Sequence, residues 1–277
     1  MHILFVGYGK TSQRVAQYLF GAEHQISTIS RSPKPADGAT HLIQDIHQLD
    51  LSQLPAIDWV YVLLSPAQSD VGAYRHTYLD SIVPITQALS QHPVQRVIVV
   101  SSTRVYGENA GQPIDDQTQA QPADAQGQLL LDMEQTWQQM FPQRCSIIRP
   151  SGIYGNSVAR MIKLAHNTQS YDRIHWSNRI HIEDLARFLA GLIHVEQPAS
   201  SYIVSDGRPT ALHETIQWFQ RQLQLPELSL LGHVVSGKKI YATRMRDTGF
   251  QLQHQDCFQD YWALLQQTQS VTLKKNS

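Results

Sequence analysis

Met1-His2-Ile3-Leu4-Phe5-Val6-Gly7-Tyr8-Gly9-Lys10-Thr11-Ser12 opens the chain, and its reading decides the fold. Ile3 to Val6 is a short apolar run. After the glycines, Val15, Ala16, Tyr18 and Leu19 have the spacing of one apolar helix face. Strand, glycine turn, helix is the context in which Gly-x-Gly-x-x-Gly carries a mechanism. Gly7 makes the tight turn, and the bare backbone of Gly9 lets a diphosphate approach. The new helix points its N–H groups and positive dipole end at the phosphates. Ser12 stands at the third glycine position, which serves helix–strand packing and tolerates a small serine. Gly7, Tyr8, Gly9, Lys10, Thr11 and Ser12 are therefore candidate cofactor contacts, against the plainer reading of a structural βα turn. Gly9-Lys10-Thr11 also resembles the end of a nucleoside-triphosphate loop. That motif needs a glycine five positions before Gly9, and Leu4 is there, so the NTPase reading is rejected.

Composition narrows the classes further. The 277 residues suffice for one large domain, or for one domain with a smaller lobe. Apolar residues make up 42% and charged residues 16%, with a net charge of −1 and a pI near 6.9. Nothing in that balance points to a nucleic acid or an anionic membrane. The short basic tail Lys274-Lys275 reads as a frayed end. Two cysteines, Cys145 and Cys257, give no disulfide framework and fit a reducing, cytoplasmic setting. No signal peptide or membrane-length apolar run is visible. The histidines lack metal-ligand spacing, so no metal site is expected.

Along the chain, Gln25 to Ser30 reads as a second strand that ends at Ser30-Arg31-Ser32 before Pro33 and Pro35. At that position an acid binds the 2′-hydroxyl of NAD, whereas an arginine accommodates the 2′-phosphate of NADP. Arg31 favours NADP over NAD; its plainer reading is a solvated loop arginine. Thr40 to Gln44 is a short strand followed by Asp45, which either accepts from an adenine amino group or caps the next turn. Ile57 to Leu64 is a buried parallel strand ending at Leu64-Ser65-Pro66. A helix over 74–89, a strand over 94–100, a helix over 128–140 and a strand over 144–149 follow. This alternation predicts an α/β fold with a Rossmann-type doubly wound parallel sheet. Ser101-Ser102-Thr103-Arg104-Val105-Tyr106-Gly107 lies where such sheets bind ligands, beyond a carboxyl strand end; the plainer reading is a Ser/Gly turn. Residues 109–126 form a long polar loop of the kind that tends to be functional.

Four segments in order resemble the extended short-chain dehydrogenase/reductase family, the NAD(P)-dependent epimerase/dehydratase group. They are Ser101 to Gly107, Arg149-Pro150-Ser151-Gly152-Ile153-Tyr154-Gly155, Ile180-His181-Ile182-Glu183-Asp184-Leu185-Ala186, and Lys239 to Phe250. The likeness covers nearly the whole chain, although the opening turn has Val6 and Ser12 where the family usually has glycine. The resemblance implies a dinucleotide-binding domain over 1–151 and a mainly substrate-binding lobe over 152–277, with 180–205 returning to the main sheet. It also implies a small-molecule, nucleotide-sugar-like ligand, and offers a homodimer through the helices near 74–89 and 128–140. Ser101, Leu64, Ser65, Ser30 and Asp45 join the candidate cofactor contacts. Thr103, Arg104, Tyr106 and Tyr154 are candidate substrate contacts, with packing roles as the plainer reading for both tyrosines.

The family's chemistry rests on a serine, a tyrosine and a lysine. A phenol with a pKa of ~10 is a poor base near neutrality unless a cation stabilises its anion. Ser102 matches the serine. Aligning Gly127 and Glu134 with the family's Tyr-Gly-x-x-Lys-x-x-x-Glu puts Gln126 at the tyrosine and Leu130 at the lysine. None of the 11 tyrosines has a lysine four positions on. The resemblance therefore implies an NAD(P)-binding protein without the standard proton relay, acting as a sensor or accessory protein. The alternative is an active NADP-dependent epimerase, dehydratase or reductase with a displaced acid, for which Tyr106, Tyr154 and Asp124 are the available groups.

Overall fold

A computed structural model describes residues 1–22 and 24–275 of the chain. The central sheet comprises β1 (His2–Val6), β2 (Gln25–Ser30), β3 (Thr40–Ile43), β4 (Trp59–Val62), β5 (Arg96–Val100), β6 (Cys145–Pro150) and β7 (Ser201–Val204). In space these seven strands run β7-β6-β5-β4-β1-β2-β3. The pairs β1·β2, β1·β4, β2·β3, β4·β5 and β5·β6 are all parallel. Strand order reverses at β1, which lies between β2 and β4. That switch point is where an open α/β sheet forms a crevice beyond its carboxyl ends. The expected doubly wound sheet is therefore present.

The central strands β1, β4 and β5 read as near-continuous apolar runs because both sheet faces are covered there. Leu4, Phe5, Val60, Tyr61 and Ile98 are fully buried, each such side chain worth about 1.5–3 kcal/mol in transfer free energy. Phe5 stacks on Tyr61 with ring centroids 4.9 Å apart. The Tyr61 hydroxyl, buried in this core, donates to the Leu189 carbonyl at 2.9 Å, which satisfies that polar atom.

Several element bounds differ from the sequence reading. The strand expected over 57–64 pairs only from Trp59 to Val62, although Leu63 N–H still donates to Val6 O as the chain turns. The helix expected over 74–89 is three pieces: Val71–Tyr74, a π-helical turn Arg75–Leu79, and Ile82–Leu89. Pro84 explains the restart, because it lacks an N–H and its ring excludes the carbonyl of residue 80 from a regular helix. It therefore sits in the first turn of a new one. The helix expected from 128 starts earlier, as α2 (Ala125–Met140), because Asp124 caps it by accepting from Gly127 N–H at 2.7 Å. Within the long loop, Pro113–Ile114 forms a short strand parallel to Lys239–Ile240.

The chain divides into two compact units. One contains Met1–Gly107, Gln119–Pro150 and Leu185–Ile203; the other contains Glu108–Thr118, Ser151–Asp184 and Val204–Ser277. The first unit holds the central sheet. In the second, Gly152–Tyr154 pairs in parallel with Arg179–His181. Ser170–Ser177 is the middle of a three-stranded sheet, flanked by Thr210–Ala211 and Ser229–Gly237. Tyr154, Val158, Phe219, Tyr261 and Leu265 pack into its core. The Lys274 and Lys275 side chains lie outside the described residues. No helix among the described residues is long and apolar enough to cross a membrane.

Candidate functional site

The turn after β1 is held by two devices. Gly7 sits at φ +91°, and a Cβ there would come 2.2 Å from the Leu63 carbonyl oxygen. No other residue fits without moving the end of β4. The Ser12 hydroxyl donates to Gly7 O at 2.7 Å. Serine thus ties the new helix, α1 (Lys10–Leu19), to the turn that a third glycine would only have allowed to approach it.

Gly9 is different in kind. It caps α1 with φ −90°, and a Cβ there would meet nothing within 4 Å. Its bare face opens onto a cavity of about 270 Å³. The first turn of α1 carries no acidic side chain, so its free N–H groups and dipole present an uncompensated positive end. These features fit a diphosphate: an approach to backbone that a side chain would obstruct, and donors without competing anions.

The same cavity gathers the ends of β1, β2, β3 and β4. Gly7, Tyr8 and Gly9 line it together with Ser30, Arg31, Asp45, Leu64 and Ser65. Lys10, Thr11 and Ser12 lie on α1 and are not part of its wall. Asp45 also caps its own turn, its Oδ1 accepting from His47 N–H at 2.9 Å. The Tyr8 ring is buried and its hydroxyl donates to Asp37 at 2.6 Å. Ser101, at the end of β5, has a buried hydroxyl without a hydrogen-bond partner. An orphan of this kind is rare in folded proteins. Three basic residues of the wall escaped the sequence reading. Lys34 is a second cation beside Arg31, and its position two residues after Ser32 could have signalled it. His47 and His76 stack with ring centroids 4.0 Å apart, a long-range pairing with no local signal.

Beyond β5 lie Ser102 and Arg104, and on α2 lie Gln126 and Leu130, the two that the motif alignment sets at the tyrosine and lysine positions. The Ser102 Oγ accepts from Arg104 N–H at 3.2 Å and caps the short turn Thr103–Val105. The Gln126 amide donates to Ser69 O at 2.8 Å, and its carbonyl accepts from Arg104 at 3.2 Å. Arg104 also donates from Nε to both Asp124 oxygens at 3.0 Å. Burial alone would raise the Asp124 carboxyl. The Gly127 N–H and the Arg104 guanidinium outweigh it and hold the group below the usual carboxylate range. Asp124 is thus an ionised cap, not a proton donor at neutral pH. Leu130 is 2% exposed, packed in the core.

The other hydroxyls named from sequence are committed elsewhere. Thr103 donates to Pro150 O at 3.3 Å. Tyr106 is 1% exposed, and its oxygen accepts from Arg149 Nη1 at 2.8 Å. That guanidinium does not prime a free phenol, because Nε also donates to both Glu134 oxygens at 3.1 Å, neutralising its charge. In the second unit, the Tyr154 hydroxyl donates to Asp260 at 2.7 Å, and burial followed by that carboxylate pushes its pKa up. His181, His254 and Asp260 also gather there, with ligand atoms within 4.8 Å of one another. His254 Nδ1 lies 2.8 Å from Asp260, and His181 Nδ1 accepts from Glu183 N–H at 3.3 Å. His181 Nε2 faces Gly155, where a Cβ would approach to 2.3 Å.

Comparison with known proteins agrees with this architecture. The curated protein YeeZ of Escherichia coli (strain K12) is 24% identical over 210 residues, 75% of each chain. A structure from Methylobacillus flagellatus, whose name places it with NAD-dependent epimerases/dehydratases, superposes with a TM-score of 0.82 at 28% identity. It covers 97% of this chain and 98% of its own. UDP-glucuronic acid 4-epimerase from Bacillus cereus, solved with NAD, shares the fold at a TM-score of 0.76 and 15% identity, covering 96% and 99%. The profile of the NAD-dependent epimerase/dehydratase family matches residues 7–201. With the glycine turn and the switch-point cavity in one parallel sheet, and that profile over most of the chain, the chain belongs to the NAD-dependent epimerase/dehydratase family.

Proposed function

We propose that this protein binds a nicotinamide dinucleotide, NADP(H) in preference to NAD(H), and holds it without the family's tyrosine–lysine proton relay. Gly7, Gly9 and the start of α1 would cradle the diphosphate. Arg31 and Lys34 would face the 2′-phosphate, and Asp45, Leu64 and Ser65 would flank the adenosine. A bound nicotinamide would supply hydride chemistry. The observation that carries the reading is the state of Gln126: an amide that cannot titrate, tied between Arg104 and Ser69 where the family keeps its phenol. Leu130, buried at the lysine position, removes the cation that would prime a phenol. The nearby Tyr78 does not replace the couple, since burial pushes its pKa up to about 12 and so makes it a weaker acid. A sensor or accessory role follows, with a small, sugar-like molecule as the second ligand.

Titration with NADPH and NADH, followed by a turnover assay with UDP-sugars and keto-sugars, tests this. The expected outcome is tight NADPH binding, weaker NADH binding and no turnover. Rapid turnover abolished by Ser102→Ala would overturn the inactive reading. It would favour the second reading, an active epimerase, dehydratase or reductase with a displaced acid. The fold shared with UDP-glucuronic acid 4-epimerase is the observation on its side.

A further inference from the structure

Behind the glycine turn, four side chains from four separate places form one hydrogen-bonded chain. Tyr8, in the turn, donates from its hydroxyl to Asp37 Oδ2 at 2.6 Å. Asp37 Oδ1 lies 2.9 Å from His41 Nε2, and His41 Nδ1 lies 2.7 Å from Thr28 Oγ1. A carboxylate only accepts, so His41 Nε2 carries a proton, and in the neutral ring Nδ1 accepts from the threonine. The Tyr8 ring and the His41 imidazole also pack together, centroids 5.3 Å apart. Thr28 and Tyr8 are buried; the facing side chains of His41 and Asp37 are 14% and 29% exposed.

The chain closes a loop. Asp37 belongs to the connection between β2 and β3, which begins at Arg31 and includes Lys34. Its near end is tied where the Ser30 hydroxyl donates to Ser32 O at 2.8 Å. Its far end is tied at Asp37, which also accepts from Ala39 N–H at 3.2 Å. Arg31 and Lys34 lie between the ties, and both line the cavity. Asp37 does not line it, and both of its oxygens are engaged.

We infer that the Tyr8–Asp37–His41–Thr28 chain positions the Arg31/Lys34 loop and thereby sets the discrimination between 2′-phosphorylated and unphosphorylated dinucleotides. Pinning the far end lowers the ordering entropy that a phosphate would otherwise have to overcome when it captures two long cationic side chains. A dinucleotide without the 2′-phosphate draws on neither cation, so loss of the chain weakens it far less. The inference rests on the dinucleotide reading given above, and names positioning residues within that site.

The test compares NADPH and NADH dissociation constants for wild type, Asp37→Ala, His41→Ala, His41→Gln and Arg31→Ala/Lys34→Ala, with thermal unfolding of each. Asp37→Ala and His41→Ala should weaken NADPH about tenfold, the scale of one charge-assisted contact, and NADH less than about twofold. His41→Gln, which can still donate to Asp37, should recover most of the NADPH affinity. Adding Asp37→Ala to Arg31→Ala/Lys34→Ala should bring no further loss, because the aspartate acts only through those cations. Equal losses for both nucleotides, or additive losses in the combined variant, would overturn the inference while leaving the dinucleotide site intact. A wild-type protein that binds neither nucleotide would overturn both.

Discussion

Substituting alanine separately at Gly7 and Gly9 should damage two different properties. At Gly7 the backbone has φ +91°, where an L-residue costs ~1–2 kcal/mol. The new Cβ would also lie 2.2 Å from Leu63 O, so the end of β4 must retreat. Overpacking of that kind costs ~1–3 kcal/mol. Together Gly7→Ala should lose ~2–5 kcal/mol from a total stability of ~5–15. In urea at a slope of ~2–3 kcal/mol/M, the midpoint should fall by about 1 M or more. Gly9 has φ −90° and empty space where a Cβ would go. Gly9→Ala gives up only a favourable N-cap residue, ~1 kcal/mol or less. Its methyl group, however, enters the space a diphosphate would occupy, so NADPH affinity should fall by ~10-fold or more. Urea titration and nucleotide titration of both variants form the assay. A Gly9→Ala protein that binds NADPH like wild type would refute the assignment of this turn to a diphosphate. A Gly7→Ala protein of unchanged midpoint would refute the steric argument.

Three further outcomes can be checked by denaturation. Glu134→Ala leaves the Arg149 guanidinium, 13% exposed in its side chain, without its carboxylate, and should cost ~3–5 kcal/mol at pH 7. Burial lifts the Asp206 carboxyl to about 6. The folded protein therefore binds more protons than the unfolded chain between the ordinary aspartate value of ~4 and that point, and stability falls as pH rises through the window. Asp206→Asn, which keeps an oxygen for Arg208 N–H, should stabilise by ~1–3 kcal/mol at pH 8, with the gain gone below about pH 4. Burial and the stacked His254 ring lower the His181 pKa, against smaller opposing effects of Asp260, Asp184 and Glu183. A lowered value means the unfolded chain takes up the proton first, so stability should decline as pH drops below about 6.5. His254→Gln should lessen that decline in a series of urea titrations across pH.

Legibility tracked how local the information was. Strands β1, β4 and β5 could be read because burial on both faces writes a nearly unbroken apolar run into a few consecutive residues. The glycine turn could be read because strand, turn and helix are contiguous. The π-helical turn at Arg75–Leu79 could not, since apolar spacing reports a face and not a change of hydrogen-bond register. The start of α2 was missed because Asp124 works through its side chain on Gly127, outside the apolar pattern. Arg31, which the structure puts in the cavity wall, was visible from its place after β2, and Gln126 and Leu130 were singled out by alignment with a motif. Lys34 was overlooked beside two prolines. The contacts Tyr8–Asp37 and His47–His76 join positions about thirty residues apart, so nothing short of the fold could reveal them. The commitments of Tyr106 to Arg149 and of Tyr154 to Asp260 are long-range in the same way.

The strand beside β6 is supplied by Ser201–Val204, and its pairing begins where Ile147 N–H donates to Ser200 O at 3.0 Å. A ribosome releases β6 well before it releases that partner. Until then one margin of the nascent sheet, with Ile147 and Ile148 in it, has open amides and carbonyls. Such a margin invites pairing with a neighbouring chain. A product ending before residue 200 should therefore clump during synthesis even with every residue around the glycine turn present. Expression yield would then depend on how quickly translation reaches the final third of the message.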